Sequence, residues 1–507
     1  MTAMTDTLPA HVRVAIIGSG FAGLGMAIKL KQQFGLEDFV VLERRDDVGG
    51  TWHVNTYPGC QCDVPSHLYS FSFAPNPDWS RAFSMQPEIG AYLKRCATEF
   101  DVRRHLHTEC EVERMAWDEE RSRWLVETSK GSFEADVVVA GVGGLSEPSI
   151  PRLEGIERFE GDTWHSAEWN HEHDLTGERV AVIGTGASAI QFVPKIQPRV
   201  AQLKVFQRTP PWIMPHPDHA IDPRIKRALR RVPRLQRLLR DAIYWGREAF
   251  VLGFMHPKLM QRGPERIARR HLARQVPDRE LRAKLTPRYR MGCKRVLISN
   301  DYLPTLQEHN VELVTDPIAE VRERSIVTRD GTEHRVDTII YGTGFKILDV
   351  PIGERVRGVG GRTLAEAWGG TPQAHHGIAI AGFPNFFMLL GPNTGLGHTS
   401  VVFMIESQIA YVADALRTLQ ERRVAVAEVR AEAQEASTRA VQERLEGTVW
   451  STGGCASWYL DDQGRNAVIW PGSTWPYKRL TMRFDAGNYD LRTPADEPEP
   501  AAQVATS

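Results

Sequence analysis

Three glycines near the N-terminus have the spacing of a dinucleotide-binding turn. Gly18, Gly20 and Gly23 follow an apolar run and precede a helical pattern. In such a turn the first glycine makes the tight bend, the second lets the backbone approach a pyrophosphate, and the third lets helix and strand pack closely. The start of the helix, here Phe21 and Ala22, then presents unpaired N–H groups and the positive end of its dipole to the phosphates.

A carboxylate indicates which nucleotide this first site takes. Glu43 lies twenty residues after Gly23 and ends the next predicted strand, where it can accept hydrogen bonds from ribose hydroxyls. Because an acidic residue at that position rejects a 2′-phosphate, we expect FAD or NAD rather than NADP. Arg44 follows directly and is included among the expected cofactor contacts.

A second glycine turn has the opposite preference. Arg208 and Thr209 stand at the end of the following strand, where a carboxylate would select NAD. The fork of donors on an arginine matches a phosphate monoester, so this site is expected to hold NADPH, with an ordinary surface position for Arg208 as the alternative. The turn itself consists of Gly184, Thr185, Gly186, Ala187, Ser188 and Ala189, with alanine at the third fingerprint position.

Both turns need a strand before them and a helix after them. Two such units predict an α/β fold with two Rossmann-like dinucleotide-binding domains. The first unit comprises strand Val12–Ile17, helix Phe21–Phe34 and strand Phe39–Leu42; the second comprises strand Val180–Ile183, a helix from about Ala187 and strand Leu203–Phe206. Two further strands that end in glycine, Ala135–Gly141 and Val336–Gly344, are expected to close the two sheets.

Composition describes an ordinary globular chain. Its 507 residues exceed the size at which one core stops growing, so two or three domains are expected. The formal net charge of −1 gives no reason to expect a nucleic-acid partner. No apolar stretch is long enough to predict a transmembrane helix, and residues 1–11 do not have the pattern of a signal peptide.

The six cysteines have no disulfide-framework spacing. We therefore expect free thiols and a cytoplasmic location. Cys60 and Cys62 could form a redox dithiol or a metal clip, but a lone CxC lacks the second ligand pair of a structural zinc site, and no metal is expected.

The segment 222–290 is crowded with arginine and is expected to be a helical insertion in the NADPH domain. Solvated helix faces are the simplest interpretation of its cations. Within it, Ala242–Met255 is apolar and aromatic. It could line a substrate path, a subunit contact or a peripheral membrane contact, and the sequence leaves these open.

Between the two units lies a more specific pattern. Phe159, Gly161, His165 and Trp169 match FxGxxxHxxxW, so the chain resembles the class B flavin monooxygenases, and most of all the type I Baeyer–Villiger monooxygenases. Members of the latter usually have proline after the last tryptophan, where this chain has Asn170. The stretch from Gly50 to Asp63 and the later GCKR, YGTGF and GPNTGLGH are similar to the same group, so the resemblance covers most of the chain.

The resemblance implies roles for residues that lie outside the two glycine turns. Arg295 would face the flavin and the nicotinamide, Asp63 would pair with it, and Lys294 would join Arg208 near the 2′-phosphate. His165 would lie in the hinge between the domains. The other implied cofactor contacts are Gly50, Thr51, Trp52, Asp63 and Tyr69 at the flavin, Val112 at the adenine end, and Asn393 and Thr394 in the late glycine-rich loop.

The implied chemistry is oxygen activation. Reduced flavin and molecular oxygen form a 4a-peroxide, whose anion attacks a ketone to give an ester or lactone and whose protonated form oxidises sulfur or nitrogen. The anion needs a permanent positive charge in a site shielded from water, which Arg295 could supply together with Asp63. A small hydrophobic ketone or sulfide is therefore the expected substrate. N- or S-oxygenation remains the first alternative, and a flavin disulfide oxidoreductase is a more distant one.

The expected domain organisation follows the order of these patterns. We expect an FAD domain in two parts, residues 11–150 and 341–492, and an NADP domain in two parts, residues 151–221 and 291–340. The helical insertion at 222–290 would interrupt the NADP domain, and residues 493–507 would be a disordered tail rich in Ala, Pro and Glu.

Overall fold

The computed structural model describes residues 7–348, 352–455, 457–461 and 463–493. The predicted tail from residue 494 onward lies outside them. The strands are β1 (His11–Ile17), β2 (Phe39–Leu42), β3 (Leu106–His107), β4 (Val112–Asp118), β5 (Arg123–Thr128), β6 (Gly131–Ala140), β7 (Asp162–His165), β8 (Arg179–Ile183), β9 (Gln202–Phe206), β10 (Ile213–Met214), β11 (Leu297–Ile298), β12 (Val311–Val314), β13 (Ile318–Arg322), β14 (Ser325–Thr328), β15 (Glu333–Arg335), β16 (Thr338–Tyr341), β17 (Val356–Arg357), β18 (Phe386–Met388), β19 (Val426–Val429) and β20 (Tyr489–Arg492).

The helices are α1 (Phe21–Phe34), α2 (Thr51–Val54), α3 (Gln86–Glu99), α4 (Ala189–Ile196), α5 (Pro223–Arg231), α6 (Pro233–Glu248), α7 (Val251–Met255), α8 (Pro257–Arg262), α9 (Pro264–Gln275), α10 (Arg279–Lys284), α11 (Tyr302–Thr305), α12 (Ile352–Arg355), α13 (Leu364–Trp368), α14 (Val401–Glu421), α15 (Ala431–Leu445), α16 (Val449–Thr452) and α17 (Thr474–Leu480).

The first sheet is built around β1. Its order is β17-β4-β5-β6-β1-β2-β3, with β18 also paired to β6, and β1 is parallel to both β2 and β6. The side chains of β1 and β2 are almost all buried because helices and loops cover both faces. Helix α1 packs on α14 so closely that a Cβ on Gly25 would lie 2.9 Å from Ile409.

The second sheet contains five parallel strands in the order β12-β9-β8-β16-β7. Parallel strands need crossover connections, and helix α4 supplies one of them between β8 and β9. The predicted α/β fold with two Rossmann-like dinucleotide-binding domains is therefore confirmed. Helix α4 begins at Ala189, two residues later than predicted, and only residues 338–341 of the predicted final strand pair in the sheet.

Helices α5 to α10 fill the arginine-rich segment between β10 and β11. The domain boundaries remain predictions. They are supported by strand pairing, because β17 and β18, which follow residue 341, pair with strands of the first sheet.

Two chain segments connect the sheets, and they bond to each other. The N–H of Ser149 donates to the oxygen of Gly344 at 2.8 Å, and the N–H of Lys346 donates to the oxygen of Glu147 at 2.9 Å. Pro148 and Phe345 form the antiparallel bridge between them. We call this pair of segments, residues 147–149 and 343–346, the connecting ribbon.

The expectation that all cysteines are free thiols is wrong. Cys293 and Cys455 form a disulfide across 162 residues of sequence, with their Cα atoms 6.2 Å apart. The fold brings them together because the segment before Cys293 packs on the chain around residue 453: the N–H of Arg290 donates to the oxygen of Gly453 at 3.0 Å. Sequence spacing could not show this, since the contact exists only after both segments are folded.

Candidate active site

The first glycine turn has the close approaches that its spacing requires. Gly18 has a φ of 92°, and a Cβ there would lie 2.7 Å from the oxygen of Gly141. A Cβ on Gly23 would lie 1.8 Å from the oxygen of Gly18, so a side chain at this position would overlap the turn itself. The backbones of Gly20 and Gly50 face each other, with 2.9 Å between the Cβ position of Gly50 and the Cα of Gly20.

Both nucleotide-site helices begin without a side-chain cap. Helix α1 follows Gly20 and helix α4 follows Ser188; neither has a side-chain acceptor or an acidic residue in its first turn. Uncapped N–H groups at the end of a helix dipole bind phosphate, so both turns fit a dinucleotide pyrophosphate.

Glu43 lies at the end of β2 with its carboxylate turned toward this glycine turn. It is 6% exposed and accepts hydrogen bonds from the N–H and hydroxyl of Ser19 at 3.0 and 2.7 Å. Val112 is close in the fold, since the N–H of Cys110 donates to the oxygen of Glu43. The guanidinium of Arg44 binds Glu147 and the oxygen of Ser146, so its place among the cofactor contacts stays a prediction.

The residues expected at the flavin form one aromatic and polar cluster. The indole N–H of Trp52 donates to the hydroxyl of Tyr69 at 3.0 Å, and Tyr69 also lies edge-on to Phe21, with 5.1 Å between ring centroids. Thr51 begins α2 directly after Gly50. Burial raises the pKa of Tyr69, so its hydroxyl stays protonated.

Arg295 and Asp63, which are 232 positions apart, form a bidentate ion pair. Nε and Nη2 of Arg295 donate to the carboxylate of Asp63 at 2.9 and 2.6 Å, and Nη1 donates to the oxygen of Leu396 at 2.9 Å. The charge of Asp63 raises the pKa of Arg295. Burial alone would raise the pKa of Asp63, but the charge and hydrogen bonds of Arg295 outweigh it and lower that pKa.

This lowered pKa has a consequence for stability. A carboxyl whose pKa is lower in the folded state stabilises the protein fully above its unfolded pKa of about 3.9. The contribution is lost only as the pH falls through the lowered value of Asp63. The ion pair is therefore intact throughout the neutral and mildly acidic range.

The second glycine turn repeats the first. Gly184 has a φ of 108°, and a Cβ there would lie 2.4 Å from the oxygen of Gly342. Ala189 is tolerated at the third position because Gly342 has no side chain to oppose it. The hydroxyl of Ser188 is bound by that of Ser166 at 3.0 Å, and Thr185 donates to the oxygen of Thr209 at 3.4 Å. Ala187 lies in the turn before α4.

Arg208 and Lys294 bring two cations together beside this turn. Arg208 is exposed, and Lys294 lies with its ammonium 5.3 Å from the ring centroid of Tyr289. Burial, and then the charge of Arg208, lower the pKa of Lys294. Among the described residues no carboxylate forms an ion pair with either cation, so the pair fits a phosphate.

The side chains of Asn393 and Thr394 both form hydrogen bonds within the protein. The amide of Asn393 donates to the oxygens of Asn466 and Ile469, and the hydroxyl of Thr394 donates to the oxygen of Gly391 at 2.6 Å. These bonds fix the loop in which the oxygen of Leu396 accepts a hydrogen bond from Arg295.

His165 ends β7 and is 1% exposed, with its ring 5.6 Å from that of Phe345 in the connecting ribbon. Burial lowers its pKa. This position between the sheets supports a hinge role for His165.

Known proteins share this architecture over almost the whole chain. A Baeyer–Villiger monooxygenase of Streptomyces coelicolor is 53% identical over 489 residues, covering 96% of this chain and 93% of that protein. One from Pseudomonas aeruginosa is 50% identical over 495 residues, covering 97% and 94%. This chain belongs to the Baeyer–Villiger monooxygenase family. The prediction of an FAD-dependent monooxygenase that uses NADPH is thereby confirmed.

Structural and family-model comparisons agree with the identification. The cyclohexanone monooxygenase of Rhodococcus sp. Phi1, bound to NADP⁺, superposes with a TM-score of 0.85 at 28% identity, covering 96% of this chain and 100% of that one. The model of the pyridine nucleotide-disulphide oxidoreductase family matches residues 15–240, which hold both glycine turns. Cys60 and Cys62 are free and buried, and burial raises the pKa of the Cys60 thiol to about 12, which does not fit a disulfide reductase.

Sequence reasoning missed one cation in the surroundings of Asp63. Arg247 on α6 is largely buried, and its Nε has no hydrogen-bond partner among the described residues. Burial lowers its pKa, while the charge of Asp63 acts to raise it and that of Arg295 to lower it. Two guanidinium groups therefore lie around one carboxylate. The dense arginines of the insertion concealed this one, which only its place in an apolar run distinguishes.

A second missed group holds α6 in position. Glu248 is 5% exposed and accepts from His398 at 3.2 Å and from the hydroxyl of Thr474 at 2.8 Å. Burial would raise the pKa of Glu248, but the bonds from His398 and Ser473 lower it. Nδ1 of His398 is buried without a partner among the described residues, as is the hydroxyl of Thr399. These free polar atoms fit a polar cofactor edge beside the loop.

Proposed function

We propose that this enzyme inserts one oxygen atom beside the carbonyl carbon of a small hydrophobic ketone. The reaction consumes the ketone, molecular oxygen, NADPH and a proton, and yields an ester or lactone, NADP⁺ and water. The observation that carries this proposal is the cluster of Arg295, Arg247 and Asp63. Among the described residues, these two guanidinium groups share one neighbouring carboxylate, so the cluster carries a net positive charge.

Each of the groups described above would have a separate role in the reaction. The turn at Gly18 to Gly23 would hold FAD, which supplies the electrons for oxygen once NADPH has reduced it. Asp63 fixes the plane of Arg295 through two bonds, so the guanidinium needs no reorganisation when negative charge develops on oxygen. Arg247 adds a second positive charge from α6. Arg208 and Lys294 would hold the 2′-phosphate.

Product analysis with isotopically heavy oxygen gas tests the reaction. The FAD-loaded enzyme is given NADPH and a cyclic ketone, and the products are identified by mass spectrometry. We expect one heavy atom in the lactone ring and the other in water. Consumption of NADPH with formation of hydrogen peroxide and no labelled organic product would refute the proposal. Oxidation of sulfides but of no ketone would favour the alternative of heteroatom oxygenation, for which Asn170 leaves room.

The cation pair makes a separate prediction about coenzyme choice. Replacing Arg208 by alanine removes charge-assisted bonds worth about 2 kcal/mol, so kcat/KM for NADPH should fall about 30-fold while that for NADH stays unchanged. Steady-state oxidation of both coenzymes measures this. Arg199→Ala, which removes an exposed arginine paired with Asp174, is the matched control and should change neither value. Equal losses with NADPH and NADH would contradict a phosphate role for Arg208.

A cytoplasmic location remains a proposal. The dependence on NADPH supports it, whereas the thiol argument does not, because Cys293 and Cys455 are paired. Within the described residues, no helix combines the length and apolarity needed to cross a bilayer.

A further inference from the structure

Helix α6 has polar residues on its buried side and an apolar row on its solvent side, which is the reverse of an ordinary surface helix. Its buried side carries polar residues at helical spacing: Gln236, Arg240, Tyr244 and Glu248. Arg240 donates to the backbone oxygens of His67 and Leu68 at 2.9 and 3.1 Å. The solvent side carries an apolar row at spacings of three and four, continued by the residue just after the helix, which we call the α6 stripe: Leu235, Leu238, Ala242, Trp245 and Ala249. Since a surface helix ordinarily buries its apolar row, this stripe points to a partner.

The stripe is strongly exposed and extends onto a neighbouring helix. Leu238 is 64% exposed and Trp245 is 56% exposed. The ring of Trp245 lies 6.1 Å from that of Trp475 on α17, which is 44% exposed, and Met482 beyond α17 is 59% exposed. Of the sixteen large apolar side chains exposed in the described parts of the chain, nine lie between residues 225 and 267. Such a concentration marks an interaction surface rather than scattered exposure.

The charge around the α6 stripe indicates what kind of partner can bind it. Residues 222–290 contain twenty Lys or Arg and six Asp or Glu, a formal net charge of +14 in a chain whose total is −1. Arg230 pairs with Asp78, but the exposed cations beside the stripe have no described carboxylate within ion-pair distance: Arg224, Arg227, Arg231, Arg234 and Arg237. The basic border continues with Lys478 and Arg479 on α17 and with Arg483 beyond its end.

Two copies of this face would repel each other, because each would bring its own arginines to the contact. An anionic lipid surface complements both the apolar stripe and its arginine border. Its headgroups attract the arginines, and its interfacial region accepts leucine and tryptophan side chains. We infer that the α6 stripe and its arginine border dock this enzyme on anionic membranes, with α6 lying parallel to the bilayer plane. An apolar substrate dissolved in the bilayer would then reach the insertion that carries Arg247.

Co-sedimentation with vesicles tests the inference on the full-length, FAD-loaded enzyme. We expect binding to phosphatidylcholine vesicles that contain about one third phosphatidylglycerol, and about tenfold weaker binding to phosphatidylcholine alone. Salt at about 1 M should weaken the anionic binding, because it reduces the screening length to about 3 Å. The double variant Leu238→Gln, Trp245→Gln should bind at least about tenfold more weakly than the unaltered protein.

The control removes exposed apolar side chains elsewhere. Leu125→Gln with Ile150→Gln, at positions 39% and 52% exposed, should bind vesicles as the unaltered protein does. Absence of binding to anionic vesicles, or equal binding by the stripe variant, overturns the inference. So does a concentration-dependent dimer in sedimentation velocity that the stripe variant abolishes, since the stripe would then be a subunit contact. NADPH oxidation with a water-soluble sulfide checks that the variants are folded, and vesicle binding is scored whether or not ketones are oxidised.

Discussion

Arg295→Met should lower kcat/KM for ketone oxidation by about 1,000-fold. The variant loses the fixed charge that stabilises negative charge on oxygen, and removal of one such stabilising group costs about 10² to 10³ in rate. Methionine keeps much of the apolar stem, so the cavity is filled while the guanidinium is absent. Ketone turnover and the dissociation constant of NADPH should be measured together, because the expected result is a large loss of the first with the second changed only a few-fold.

Two comparisons make this result specific. Arg295→Lys keeps a charge but not the bidentate geometry with Asp63, so it should recover only part of the lost rate. Arg288→Met removes an exposed arginine seven residues earlier and should leave turnover unchanged. A parallel loss of NADPH affinity and turnover in Arg295→Met would mean that Arg295 is a phosphate ligand beside Lys294 instead.

Gly23→Ala should yield protein that does not retain FAD. A Cβ at this position would lie 1.8 Å from the oxygen of Gly18, and because the Cβ is fixed to the main chain and the oxygen belongs to it, the turn must shift. Overpacking of this kind costs about 3 kcal/mol or more, and it moves the N–H groups that the pyrophosphate needs. Flavin absorbance per chain after purification and the midpoint of thermal unfolding measure the two effects.

Gly246→Ala is the matched control, because an added Cβ on this exposed helical glycine meets nothing within 4 Å. Alanine favours a helix by about 1 kcal/mol over glycine, so this variant should retain FAD and unfold at the same or a higher temperature. Full FAD occupancy in Gly23→Ala would show that the first turn is not the FAD site.

Local sequence patterns were sufficient to predict the two nucleotide-binding units. Helix α1 and strand β2 have the predicted bounds, since glycine spacing, β-branched runs and helical periodicity all act within about thirty residues. The pairing of Asp63 with Arg295 was expected from resemblance, not from spacing, because 232 positions separate the two residues. No periodicity along the chain predicts a contact of that range.

The remaining features depend on tertiary packing. Arg247 resembles the other nineteen cations of its segment in sequence, and only the docking of α6 beside Asp63 gives it a different environment. Arg44 follows Glu43, the expected ribose ligand, yet its guanidinium forms an ion pair with Glu147, a residue of the connecting ribbon. The disulfide of Cys293 and Cys455 likewise exists only because two distant segments fold against each other.

The connecting ribbon constrains how the two sheets can move. Two independent tethers would let one body twist about the other, but these tethers are bonded to each other through Ser149 and Gly344, and through Glu147 and Lys346. A two-stranded ribbon flexes readily out of its own plane and is stiff to bending within that plane. A relative movement of the two sheets is therefore expected to bend the ribbon out of its plane, and the disulfide between Cys293 and Cys455, which joins the segments predicted for the two domains, limits the extent of that movement. Such bending would change the distance between the predicted NADP and FAD sites while it restricts rotation of one site relative to the other.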